Sequence, residues 1–400
     1  MKRILFFVLF IILLYVYIHN PILLALGERG AIKLIYPILL FFLVKWWGEF
    51  KRFFCREHNL FIAVSVYIVL RSLIQAETDT LYTSIVQYIE QILMAGIFAL
   101  ALVKNGITYT AFIRSLLILC AIGSLISTAC VISPELNNYI KFSLVSTPVG
   151  SFLYENPFRG FGISEALTYS YGIVQGFILA VGLLYIKENK WFLLFVPFIL
   201  LSIMVNARTG LVVAVLGLVF YALSNKAMTV LLSMAVTLGL LIYLLPILAG
   251  YLDSETAKWI DDFFEEFTVL FKEGEMEDTT AGTLSDTTNK WPPSILSWII
   301  GRGYYLFLAR PGMPHFDGGF FLHLNHGGLV YMFIWFKLLY YMSKRMKICV
   351  CNRYLILLMI ATFFVAHFKG DFLSNTGGIR LFFLFYFYTV YYFEKNRSNA

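Results

Sequence analysis

The sequence predicts an all-α polytopic membrane protein, with about twelve transmembrane helices and a large extracytoplasmic loop that contains an amphipathic helix. Three observations predict it: composition, the spacing of apolar runs, and the placement of charge. Of 400 residues, 60% are hydrophobic and 14% charged, against roughly 45–50% and about 25% in soluble domains. Such a chain has too little polar surface to cover a water-soluble globule, and it is far too apolar for a disordered one. The net charge of +7 falls in no dense Lys/Arg stripe with spaced aromatics, so nucleic acid is not the expected partner.

A helix needs about 20 apolar residues to cross a bilayer. Runs of that kind lie at 4–24, 31–47, 60–76, 82–103, 107–132, 164–186, 191–206, 209–225, 227–250, 319–342, 353–368 and 378–393. The first follows Met1-Lys2-Arg3 and resembles a signal peptide, but no small-residue cleavage site follows it, so an uncleaved span is expected. The gaps alternate in character. One set holds Lys2-Arg3, Lys51-Arg52 with Arg56, Lys104, Lys187 and Lys190, Lys226, Lys344-Arg345 with Lys347, and Lys395 with Arg397. The other holds 75–79, 133–163, the turn Asn206-Ala207-Arg208, 251–318 and 369–377. Positive-inside logic puts the first set and both termini in the cytoplasm. The expected organisation is a bundle over 1–250 (spans one to nine, with an outward loop at 133–163), a large extracytoplasmic loop at 251–318, and a second bundle over 319–400 holding the last three spans.

The 251–318 loop carries twelve Asp/Glu and five Lys/Arg, which makes a polyanion an unsuitable partner for it. Within 255–273, Trp259, Ile260, Phe263, Phe264, Phe267, Leu270 and Phe271 recur at helical spacing with acids opposite. This amphipathic helix either lies on the outer leaflet, covers a cavity, or packs on the bundle. The five cysteines at 55, 120, 130, 349 and 351 avoid both long outward loops, so a disulfide framework is not expected.

Ionisable residues at membrane depth are costly, which makes them functional candidates. They gather toward the outer face: Arg71, Arg159 and Glu165, Arg208, Arg302, Arg310, His315, Asp317, His323, His326 and Arg380. Arginine grips phosphate oxygens with two parallel N–H groups and stays charged in any surroundings, so this ring suits an anionic lipid headgroup. Arg71 and Arg380 are equally well explained by snorkelling to phospholipid. The Asn206–Gly210 turn is too short to hold Arg208 in a loose surface loop. His323 and His326, three apart, share one helix face. With no third ligand evident, metal binding is not expected there. Gln87, Glu90 and Gln91 form a polar stripe on span four, with Arg71 a candidate partner for Glu90.

Three segments carry a resemblance. Arg159-Gly160-Phe161-Gly162-Ile163-Ser164-Glu165 leads from an outward loop into a span. Asn206-Ala207-Arg208-Thr209-Gly210-Leu211 joins two spans. Gly301-Arg302-Gly303-Tyr304 is followed by Asp317-Gly318-Gly319-Phe320 and Gly327-Gly328-Leu329. In this order, with a large outward loop before the third, they resemble the O-antigen polymerases, a family related to the O-antigen ligases. The match covers about 155–340; the first 150 residues match in hydropathy alone. The ligases commonly carry a His-Asn pair near Asp317, where this chain has Phe316-Asp317-Gly318. Asn325-His326 further on keeps a ligase open as the alternative.

The resemblance implies a glycosyltransferase that moves a growing glycan from undecaprenyl diphosphate to a lipid-linked repeat unit on the extracytoplasmic face. Its partners would be the undecaprenyl diphosphate-linked oligosaccharide, as donor and acceptor, membrane lipid, and a chain-length regulator protein. Arg159, Arg208, Arg302 and Arg310 are the diphosphate-binding candidates; Asp317, His323, His326 and Glu165 are the catalytic ones, among which sequence does not choose the base. No cofactor is expected, and the chain has no acidic cluster comparable to Asp-x-Asp. A transporter or flippase of the same lipid is the reading from another class; it would be expected to show internal repeats and midplane charges.

Overall fold

The computed structural model describes residues 2–26, 29–74, 92–145, 159–165, 168–225, 291–304, 318–350, 352–373 and 376–398. The described chain is overwhelmingly helical. In order it forms α1 (Lys2–His19), α2 (Tyr36–Lys45), α3 (Trp47–Ile74), α4 (Met94–Lys104), α5 (Tyr109–Ile132), α6 (Pro134–Tyr139) and α7 (Thr168–Leu184). It continues with α8 (Val196–Asn206), α9 (Thr209–Asn225), α10 (Ile295–Ile300), α11 (Gly319–Cys349), α12 (Arg353–Lys369) and α13 (Gly377–Ser398). Span 227–250, residues 82–91 of span four with its polar stripe, and the amphipathic helix at 255–273 lie outside the described residues.

Most expected spans have a helix where the apolar run lies, and the bounds differ for local reasons. α1 stops at His19 because Asn20 turns left-handed at φ 39 ahead of Pro21. Its side-chain oxygen then accepts from the Ile32 amide at 3.1 Å. α3 begins thirteen residues before the run at 60–76 (60 minus 47) and carries Glu49, Lys51 and Glu57 in its first half, since a helix has no reason to end at a membrane surface. α8 is preceded by a tight 3₁₀ stretch at Lys190–Phe195, with Pro197 set in its first turn.

Among the described residues one helix, α5, is long and apolar enough to cross a membrane alone, with a window of mean hydropathy 2.4. α7 and α9, at 17 residues each, cover about 26 Å, just below the roughly 30 Å hydrocarbon core. Large apolar side chains nonetheless face outward on several helices, with Val44 79%, Leu194 74% and Ile132 72% exposed.

The chain divides into two compact units. The first comprises Met1–Pro21, Arg29–Leu119 and Lys290–Ala400; the second comprises Ile22–Glu28 and Cys120–Asn289. In the first, Arg345 of α11 joins three helices. Its guanidinium donates to both oxygens of Glu394 on α13, at 2.8 and 2.9 Å, and to Glu57 of α3 at 2.8 Å. Tyr386 donates to the same Glu57 oxygen at 2.6 Å. A buried carboxylate so fully bonded is tolerable where an unpaired one would not be. In the second unit, α7 and α9 cross in close backbone contact. A Cβ on Gly176 would overlap the Gly210 carbonyl, and one on Gly210 would overlap that of Gly172, the small-residue packing that membrane helices favour.

Candidate functional site

In the second unit the Arg159 segment and the Asn206 turn form one structure. Asn206, fully buried, ends α8. Its amide donates to the Gly160 carbonyl at 2.9 Å, to the Ser127 hydroxyl of α5 at 3.0 Å and to Ser202 O at 2.9 Å. The Ser127 hydroxyl in turn donates to Gly160 O at 2.5 Å. Gly160 must be glycine for this, since a Cβ would press on Cys130 and the α5 backbone, and Gly162 takes φ 60. The chain is thereby held flat against α5, and Arg159 Nη1 reaches the Asn206 carbonyl at 3.1 Å.

Arg159 and Arg208, 49 residues apart in sequence (208 minus 159), are close enough to feel one another. Burial, and after it the charge of Arg208, lowers the Arg159 guanidinium to about 10. Lys141 joins them. It follows Asn137, whose amide donates to the Arg159 carbonyl at 3.1 Å, by four residues. Burial lowers its ammonium to about 8, Cys130 opposing and the Arg159 charge adding to the effect. Glu165 is buried in the same segment. Three cations thus share a partly buried region of this unit.

In the first unit the two glycine motifs fit into each other. α10 opens with a capping box between Ser294 and Ser297 and ends at Gly301, φ 74. Gly303 follows at φ 81, so both glycines beside Arg302 use the left-handed backbone their spacing suggests. The loop lies along a break in α11 at Gly328, φ 68 and ψ −167. Breaking a helix frees carbonyls, which when buried must find donors within the protein. Here Asn325 O accepts from the Arg302 amide at 2.5 Å and His326 O from the Gly303 amide at 3.0 Å. The Tyr67 hydroxyl lies 2.8 Å from Gly327 O and 3.0 Å from Ile300 O. Arg71, one turn on along α3, donates from Nη2 to Gly301 O at 2.8 Å. Gly301 and Gly328 fit so closely that a Cβ on either would strike the other's backbone neighbours.

The histidines stand on this broken helix, and both are buried. They have different neighbours. His326 points Nε2 toward Ser72 Oγ of α3, 3.5 Å away. His323 Nε2 lies 2.8 Å from Asp371 Oδ1, and its ring stacks on His367 of α12 at 4.9 Å and on Tyr331 at 4.9 Å. Asp371 Oδ1 also accepts from the Leu373 amide at 3.1 Å.

Snorkelling does not describe Arg71 or Arg380. Arg71 is buried and bonded as above, and Arg380 is fully buried with Nη2 3.2 Å from Ile18 O. Arg302 is half-buried and Arg208 half-exposed at its turn. Arg310, His315 and Asp317 lie outside the described residues, as does Glu90, the partner expected for Arg71. Sequence reading did not single out Lys141, His367 or Asp371. His367-x-x-x-Asp371 at the end of a span was a visible signal; its meeting with His323 was not.

No protein-family model, curated protein sequence or solved structure matches this chain.

Proposed function

We propose that the chain is a multi-pass inner-membrane glycosyltransferase, with both termini cytoplasmic, that polymerises surface polysaccharide on the extracytoplasmic face. In this reading it transfers a growing glycan from undecaprenyl diphosphate to a lipid-linked repeat unit. The outward-facing apolar side chains of α2, α5 and the segment before α8 support the membrane part. The observation that carries the chemical part is the gathering of Arg159, Arg208 and Lys141 around the Asn206 turn. Like charges raise one another's cost, and a diphosphate relieves it with charge-assisted bonds.

In the reaction the acceptor hydroxyl oxygen forms a bond to the anomeric carbon. The bond from that carbon to the diphosphate oxygen breaks, and the lipid diphosphate leaves with the electron pair. Cations already aimed at the departing oxygens favour this step, and losing one good donor typically costs about 100–1000-fold in rate. Arg159 and Arg208 take that role, Lys141 with them. A base accepts the hydroxyl proton. Among Asp317, Glu165, His323 and His326, Glu165 is our choice, because it is buried and belongs to the same unit as these cations. The chain-length regulator stays part of the proposal as a partner in the membrane.

The test is the surface glycan of cells carrying Arg208→Ala at wild-type protein level. Single repeat units on the lipid acceptor, with no ladder above them, are expected. Arg208→Lys should restore short ladders only, since a point charge replaces a two-pronged donor. A full ladder from the alanine variant would sink the assignment. Long polymer left on the carrier lipid would make the chain a ligase instead.

A further inference from the structure

We propose that His323, His367 and Asp371 bind one first-row divalent metal ion, zinc foremost. His367 is at the end of α12 and Asp371 four residues later, just past Gly370, where the helix has ended. His323 comes from the first half of α11, before its break. One ligand atom from each residue lies within 4.8 Å of the other two, and all three residues are buried. A tetrahedral ion with bonds of about 2.0–2.1 Å holds its ligand atoms about 3.3 Å apart, so side-chain rotations on the order of 1 Å close the set.

A second observation points to a ligand. The Nδ1 atoms of His323 and His367 are buried with no hydrogen-bond partner among the described residues. Buried polar atoms are rarely left that way in folded proteins. The structure also makes room for the His367 ring. It fits against Gly319 at the start of α11, where any Cβ would collide with it. Phe320, Phe363 and the His323 ring enclose it further. Space and imidazole nitrogens without a partner are therefore provided in an apolar surround, where an imidazole left so is costly.

The donor set selects the ion. Two imidazoles and one carboxylate suit zinc and its borderline neighbours over calcium or magnesium, which want oxygen shells. Among the described residues three protein ligands leave a fourth position open, the pattern of sites that bind water or a substrate hydroxyl. Asp371 reaches His323 Nε2 directly at present; on metal binding the pair would exchange that hydrogen bond for two metal bonds. His326 is outside the set. Metal binding is separate from the polymerase reading, and each can fail alone.

The experiment uses full-length protein without a polyhistidine tag, purified in detergent, stripped with chelator and titrated with zinc, then with cobalt as a spectroscopic probe. One equivalent per chain is expected, with cobalt absorption typical of nitrogen and oxygen ligands. His367→Asn and Asp371→Asn, close in shape to the originals, should weaken zinc binding by more than about 100-fold, since even outer partners of metal ligands cost 10–100-fold. His326→Gln should bind as wild type does. If His367→Asn elutes aggregated, Asp371→Asn carries the comparison. Absence of saturable binding, or wild-type affinity in both asparagine variants, overturns the proposal. Glycan length is scored separately, so zinc binding without polymerisation supports the metal site and counts against the polymerase reading alone.

Discussion

Replacing Gly328 with alanine asks whether the break in α11 is what holds the Arg302 loop. Gly328 sits at φ 68 and ψ −167, a region open essentially to glycine, where another residue costs about 1–3 kcal/mol. The added methyl would also strike the Gly301 amide and the Ile299 carbonyl, and backbone cannot rotate out of the way as a side chain can. One escape is to release the loop. That sacrifices the two amide bonds to Asn325 and His326, each worth about 0.5–1.5 kcal/mol, and the Arg71 bond to Gly301, about 1.5–3 kcal/mol as a bond from a charged donor. Strain with partial release gives a total cost of about 3–5 kcal/mol. Gly48→Ala is the control, because nothing lies within 4 Å of a Cβ there; within a helix it should be neutral or stabilising by about 0.5–1 kcal/mol. Thermal unfolding in detergent and glycan ladders from cells, at matched protein level, read the two variants. Gly328→Ala should melt several degrees lower and lose long chains, while Gly48→Ala does neither. Wild-type melting and ladders from Gly328→Ala would refute the claim that the two glycine motifs form one unit.

Raising the pH should weaken the lipid diphosphate site, because the Lys141 ammonium, lowered to about 8, discharges across about pH 7–9. Affinity should fall by about tenfold or more, the worth of one charged hydrogen bond, and Lys141→Arg should abolish the fall. The sign for stability is opposite. The unfolded lysine keeps its proton to about 10.5, so between the two values the unfolded state binds more protons and folding stability rises with pH. Weaker binding accompanied by a lower melting temperature would therefore contradict this account. Reporter fusions after Lys226 and after Glu275 test the topology; a periplasm-dependent reporter should be active only at the second, and equal activity at both would overturn the orientation.

Much of the architecture was legible along the chain because hydropathy and charge are local properties. An apolar run, a basic gap and a proline act on their own few residues, so most helices stand where the runs lie. Their ends were less legible, since Asn20 and the charged start of α3 follow backbone geometry and not hydropathy. Arg159 and Arg208 were also visible, each marked by a polar, glycine-containing segment beside an apolar run.

The meeting of distant residues was not legible. Lys141 is one basic residue between apolar runs until the Asn137 bond to Arg159 brings it to the arginines. The Gly301 and Gly327-Gly328 motifs read as two signals, and only folding shows that each leaves the space the other's backbone occupies. His323 and His326 share a face by spacing, yet one turns to α12 and the other to α3. Composition and periodicity were thus enough for the helical class and its apolar surface, because each residue's preference for water or lipid is its own. Tertiary contact alone decided which charges and histidines act together, because Coulomb forces, hydrogen bonds and metal ligation depend on distance in space, and sequence separations of 49 or 44 residues (208 minus 159, and 367 minus 323) carry no information about that distance.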